Sequence, residues 1–213
     1  IAESEGTVAQ LARGRVYTIL DYSAEGKESE KELDATRDEV RAAIDAAQGD
    51  ERHAFSVFKV SGVAPTPVLR DPGSDPAAWE RVKARVAALC ERAAETGGRI
   101  FIDAEETWFQ GAIDALAEEQ MSRLNRERAV VFNTVQLYRH DRLAYLKALT
   151  ERAQREGWQL GVKLVRGAYM EKEREKAAEA GKPSPIQPDK AASDRDYDAA
   201  LAWCIDHGVS ECS

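Results

Sequence analysis

The residues best suited to chemistry in this 213-residue chain fall within ten positions, 161–170 (GVKLVRGAYM). The segment opens as an apolar, β-branched run, the composition of a buried strand. It closes on the cations Lys163 and Arg166, then Gly167 and Tyr169, before a charged helix that starts at Glu171. Three residues apart on a strand, the two cations point to opposite faces. Gly167 lets a flat ligand approach the backbone, and Tyr169 adds an aromatic wall with a hydrogen-bonding tip. The plainer reading is a core strand with solvated charges at its end.

The same kind of chemistry recurs where other apolar runs stop. Asp21 and Glu25 follow a first run at 15–22 (RVYTILDY), and Lys59 lies near the end of a second at 54–60 (AFSVFKV). Asp103, with Glu105 and Glu106, ends a third at 99–103 (RIFID), and Gln136 lies near the end of a fourth at 129–138 (AVVFNTVQLY). A fifth run, 158–165, carries Lys163 and leads to Arg166.

These runs need elements to hold them, and the intervening segments read as helices. Helical periodicity is expected at 29–48, 76–96, 107–125, 141–156, 171–180 and 193–207. Asp75 is placed to cap the second of these with Pro76 in its first turn, and Gly157 to stop the fourth. Between 65 and 76 four prolines and a glycine mark a loop, and 182–188 is a second proline-rich loop. Strand–helix units of roughly 30 residues or more imply parallel strands with helical crossovers. Neither G-x-G-x-x-G nor G-x-x-x-x-G-K-[ST] follows the first strand, which disfavours a doubly wound nucleotide-binding sheet. Ionisable residues converging from several strand ends instead describe the catalytic face of a (β/α)8 barrel. Five units are legible, whereas such a barrel typically takes about 250 residues. Residues 1–213 are therefore expected to form one barrel domain whose C-terminal units are missing or unrecognised, with 209–213 beginning a sixth strand or a tail.

Composition bounds the function from the other side. A formal charge of −8 with no basic stripe argues against nucleic-acid binding. Cys90, Cys204 and Cys212, three thiols without a C-x-x-C, suit a reducing compartment better than a disulfide framework or a zinc site. His53, His140 and His207 are isolated and read as structural, and no metal site is expected. The tryptophans at 79, 108, 158 and 203 read as packing. No apolar run nears the roughly 18 residues of a membrane span, and no signal or transit peptide pattern is visible. The expected address is cytoplasmic.

Taken together, 162–169 (VKLVRGAY), 102–105 (IDAE) and 132–138 (FNTVQLY) resemble the proline dehydrogenase family. The likeness continues through 20–23 (LDYS), Lys59 and 171–198, and so covers most of the chain in the family's order. What the resemblance implies is a flavin-dependent (β/α)8 barrel that oxidises L-proline to Δ1-pyrroline-5-carboxylate, the first step of proline catabolism, and passes electrons to a quinone. It implies FAD as cofactor, with peripheral contact at the inner membrane and self-association as further expectations. Matched by motif, Lys59 and Asp103 are the catalytic pair and also contact substrate, together with Leu164, Tyr169 and Glu25. Gln136, Lys163, Val165, Arg166, Gly167, Ala168 and Met170 fall on the flavin side, with Met170 standing where some relatives carry tryptophan. The family's paired carboxylate-gripping arginines belong to units not recognised here.

Each residue has a duller account. A lone strand-end lysine is commonly a solvated charge. Residues 103–106 (DAEE) would serve to cap the next helix and favour its dipole. Gln136 would satisfy buried backbone, and Tyr169 would be plain packing. Two rival functions stay open at this level: a Schiff-base lyase or aldolase-type barrel using Lys59 or Lys163, and a degenerate barrel without catalysis.

Overall fold

The structure is a computed structural model and describes residues 5–21, 24 and 26–212. In chain order it begins with α1 (Glu5–Arg13), β1 (Thr18–Asp21), α2 (Glu30–Ala46) and β2 (His53–Lys59). A single 3-10 turn over Val60–Gly62 leads to α3 (Thr66–Arg70), α4 (Pro76–Glu95) and β3 (Ile100–Asp103). Then come α5 (Thr107–Leu124), β4 (Val131–Gln136), α6 (Arg142–Glu156), β5 (Gly161–Val165), α7 (Met170–Glu179), α8 (Lys190–Asp206) and β6 (Ser210–Cys212).

All strands are parallel and pair in the order β1-β2-β3-β4-β5-β6. A doubly wound sheet reverses its strand order at a switch point; this one advances in one direction throughout, as a (β/α)8 barrel does. The described strands form a curled, open part of such a barrel. The segment left open between strand and tail is resolved as the short β6, which pairs with β5.

Alternation along the strands separates two cores. Phe58, Ile100, Ile102, Val131, Val135, Val162 and Leu164 face the helices and merge with Val82, Val86, Leu89, Ile113, Leu116 and Leu149 in the larger one. The concave face carries Phe55, Val57, Phe101, Ala129 and Phe132. Its rings stack (Phe55–Phe101, 4.0 Å between centroids) and meet edge to face (Phe55–Phe132, 5.1 Å). This aromatic plug lies on the concave face below the strand ends, so polar side chains one row further along have an apolar floor beneath them.

Gly161 is part of that plug. A Cβ there would lie 2.7 Å from the Val131 carbonyl oxygen and 2.9 Å from Cγ of Phe132. Backbone on one side and a packed ring on the other leave little room to yield. Gly161→Ala is therefore expected to destabilise the fold by about 1–3 kcal/mol, the usual cost of overpacking; a urea melt with an unchanged midpoint would contradict this.

Helix ends follow the sequence closely. The Asp75 carboxylate accepts from Ala78 N–H at 2.9 Å at the start of α4, and Gly157 adopts φ 72° at the end of α6. The helices α1 and α3 were not expected. The latter lies in the proline-rich loop, where Pro67 sits within the first two helical positions and so forfeits no intrahelical bond. Cys90 is fully buried, and burial pushes its thiol well above the ordinary range.

Candidate active site

The sheet register brings the strand-end residues into one transverse row. Lys59 on β2 lies opposite Asp103 on β3, and Thr134 on β4 lies opposite Lys163 on β5. Thr134 Oγ1 stands 3.4 Å from Asp103 Oδ1 and donates to the Ile102 carbonyl at 2.9 Å, joining the two pairs. Residues in register on parallel strands share a face. The row therefore continues the concave face one step beyond Val57, Phe101 and Phe132.

Across this row Lys163 forms an ion pair with Asp103, their side chains 25% and 20% exposed. The Lys59 ammonium donates to the Tyr169 hydroxyl at 3.0 Å and lies 5.7 Å from the centroid of that ring. Lys59, Asp103, Ala104, Thr134, Gln136, Tyr138, Lys163, Val165, Gly167, Ala168 and Tyr169 enclose a cavity of about 150 Å³. The row thus brings two ammonium groups and one carboxylate to the cavity wall. The rest of the cavity wall combines the rings of Tyr138 and Tyr169, the Gln136 amide and the small or aliphatic residues Ala104, Val165, Gly167 and Ala168.

Just beyond β3, Glu105 ties strand ends together. Buried to 2% exposure, its carboxylate accepts from Ser61 N–H at 3.0 Å and from the Ser61 hydroxyl. Its backbone N–H donates to Gln110 Oε1 at 2.8 Å, and its carbonyl accepts from Gln136 Nε2 at 2.7 Å. Ser61 and Glu105 each stand two residues beyond a member of the Lys59–Asp103 pair, so these bonds fix the relative placement of both. The same Gln136 nitrogen donates to Tyr138 OH at 2.8 Å, while its Oε1 accepts from Arg139 at 3.3 Å. Gln136 thus satisfies buried backbone, as the duller reading has it, although it also lines the cavity.

The fifth-strand block divides as alternation requires. Lys163 and Val165 face the cavity with Gly167, Ala168 and Tyr169. Leu164 does not line this cavity: it points the other way, 3% exposed, into the helix-side core. Arg166 lies off the cavity as well, exposed, paired with Asp194 at 3.0 Å and 5.0 Å from the Tyr197 ring centroid. Met170 opens α7 and is not part of the wall. Glu25 lies outside the described residues. Tyr169 takes φ 54°, ψ 2°, a left-handed conformation that costs a non-glycine residue roughly 1–2 kcal/mol. Such strain clusters at functional sites.

Three contributors escaped sequence reasoning. Thr134 was legible in principle, since it stands two residues from Gln136 and alternation puts both inward. Tyr138 required the turn after β4. Glu173 on α7 is 3% exposed and accepts from Thr107 N–H at 2.6 Å, at the start of α5; a contact spanning 66 positions leaves no local signature. Among the described residues, no group of three or more His, Cys, Asp or Glu side chains is disposed to hold a metal, and no helix is long and apolar enough to cross a membrane.

Consecutive parallel βα units, with ionisable side chains gathered at the C-terminal strand ends over an aromatic plug, define a barrel-type α/β domain with its site in the usual place. Comparison with known proteins supplies the family: the profile of proline dehydrogenases matches residues 4–211, and the chain belongs to that family. It is 32% identical over 210 residues to the carbapenem antibiotics biosynthesis protein CarD of Pectobacterium carotovorum, covering 95% of this chain and 55% of CarD. It is 40% identical over 126 residues to human mitochondrial proline dehydrogenase 1, covering 59% of this chain and 21% of that protein. The fold is shared with proline utilization A from Bdellovibrio bacteriovorus, whose crystal structure, inactivated by N-propargylglycine, superposes with a TM-score of 0.83 at 20% identity. That match covers 97% of this chain and 23% of the other. The chain thus spans about half of CarD and about a fifth of the human enzyme.

Proposed function

We propose that this chain carries the catalytic strand ends of a flavin-dependent dehydrogenase that oxidises L-proline to Δ1-pyrroline-5-carboxylate. The observation that carries the reading is the Lys59–Asp103–Thr134–Lys163 row, which shares one cavity with Val165, Gly167, Ala168 and Tyr169. Family membership supports it. Delivery of the electrons to a quinone rests on the family resemblance.

The residues fit a flat cofactor ring. Gly167 and Ala168 are exposed, and a Cβ on Gly167 would meet nothing within 4 Å, so the backbone there presents an open face. Lys163, held by Asp103, stands beside it with a quarter of its side chain exposed. Gln136 has both amide hydrogens engaged, by Glu105 and Tyr138, and offers a ligand only its oxygen. Residues 165–168 would hold FAD, which would supply the hydride acceptor. The chain's own part is binding and orientation. The Lys59 ammonium pairs with the proline carboxylate, the Tyr169 ring walls the pyrrolidine, and Lys163 places positive charge where the ring gains electron density. Asp103 holds Lys163 in that position, and Thr134 holds Asp103.

The test is spectroscopic. Incubation with FAD followed by gel filtration is expected to give a yellow protein whose flavin bands bleach anaerobically on adding L-proline. A colourless product, or bands unchanged by proline, would refute the reading. Borohydride trapping of a carbonyl substrate on Lys59 or Lys163 would favour the Schiff-base alternative.

A further inference from the structure

We propose that Glu173 is a positioning residue that holds Tyr169 over Lys59, by fastening α7 to the N-terminus of α5. The proposal rests on reading Lys59 and Tyr169 as substrate-site residues.

Tyr169 precedes α7 in the left-handed region, and its own side chain does not cap the helix. If the turn were released, the tyrosine would relax toward commoner backbone angles, and its hydroxyl would leave the Lys59 ammonium. Glu173 contacts both parts that matter. Its N–H donates to the Tyr169 carbonyl at 2.9 Å, and its buried carboxylate accepts from Thr107 N–H at 2.6 Å. Thr107 is the first residue of α5, and the N-cap residue Glu106 provides no side-chain cap. A carboxylate from another helix therefore meets an N–H at the positive end of an 18-residue helix. Two more contacts lie along the same seam: Lys172 pairs with Glu106, and the Lys176 ammonium sits 3.3 Å from the Trp108 ring centroid. These two are more exposed, so the buried Glu173 bond is the one expected to set the register of α7. Through it, the helix after β3, which follows Asp103, fixes the tyrosine after β5.

The test reads the geometry directly, apart from turnover. Lys59 and Lys163 would be labelled with a short pulse of an amine-acylating reagent and quantified by peptide mass spectrometry. In Glu173→Ala, Lys59 labelling is expected to rise about tenfold, the scale of losing a hydrogen bond to a charged group, with Lys163 labelling unchanged. Glu173→Gln keeps an acceptor oxygen and should label as the parent does. Thr107→Pro removes the donor from the other side without burdening α5. Proline suits the first helical position, and Glu106 already has the extended angles (φ −69°, ψ 147°) that a residue before proline adopts. It should reproduce the Glu173→Ala pattern. Equal Lys59 labelling in all four proteins would overturn the proposal. So would a rise at Lys163 matching that at Lys59, which would mean general loosening. If labelling follows the expected pattern while the FAD-loaded parent fails to oxidise proline, the positioning role stands and the proline reading falls. Uniform labelling with normal proline oxidation gives the reverse.

Discussion

Lys59→Ala is expected to lower kcat/KM for L-proline by about a hundredfold or more, and Asp103→Ala by a similar factor, with much smaller effects on thermal stability. The magnitude follows from removing a charged hydrogen-bonding partner from a partly desolvated site, on the order of 2–4 kcal/mol of transition-state stabilisation. The two variants should differ in form. On the proposed reading Lys59 would meet the substrate carboxylate in both ground and transition states, so its loss should raise KM at least as much as it lowers kcat. On the same reading Asp103 would act through Lys163, with which it is paired, so its loss should fall mainly on kcat. Stability should hardly move in either case, because both side chains stand at the open end of the aromatic plug and not within it. Steady-state kinetics and thermal melts on the same preparations decide the matter. Normal turnover in either variant, or losses of turnover that merely track the melting midpoint, would make these residues structural charges.

How much of this was legible in the sequence depends on the range of the interaction. The five longer strands and their order came from apolar runs broken by helical segments, and the observed bounds shift by only a few residues. The choice of barrel over doubly wound sheet followed from polar strand ends and an absent glycine-rich turn, and the unreversed strand order agrees with it. Convergence of Lys59, Asp103, Gln136, Lys163 and Tyr169 was also readable, because parallel register gathers what each strand carries at its C-terminal end. Leu164 falls outside the cavity for a local reason: a motif carries a whole block, but alternation turns every second residue of it away. Arg166 and Met170 lie past the strand end, where the turn and not the pleat decides direction. The partners were beyond reach. That Asp103 pairs with Lys163, that Glu105 grips Ser61, and that Glu173 meets Thr107 are contacts across 60, 44 and 66 positions. Only the assembled fold creates them.

The second large effect is expected behind the sheet. Arg142 and Asp114, 4% and 6% exposed, form a two-pronged pair at 2.8 and 3.0 Å between α6 and α5. Asp114 also accepts from Gln110 and Asn133, both at 2.9 Å, and the Arg142 guanidinium lies 3.8 Å from the Tyr145 ring centroid. Burial works against the Arg142 charge, yet Asp114 more than offsets it and holds the pKa above the ordinary arginine value. Arg142→Met would leave Asp114 charged and dry. Breaking one side of a buried pair costs about 3–5 kcal/mol, and at this chain length each kcal/mol is worth roughly 2–4 °C. The melting midpoint should therefore fall by roughly 10 °C. Arg166→Ala, which removes an exposed pair with Asp194, should cost under about 1 kcal/mol and serves as the control. The consequence reaches the site, because Gln110 binds Asp114 through its nitrogen and the Glu105 N–H through its oxygen. Loss of the guanidinium should thus loosen the end of β3 before the barrel unfolds. Hydrogen exchange would show it: faster exchange at the Glu105 and Ser61 amides in Arg142→Met, under conditions where the melt is still flat. A midpoint within about 3 °C of the parent, against the 2–4 °C expected per kcal/mol, would mean that neighbouring groups or water replace the guanidinium and that the network is dispensable.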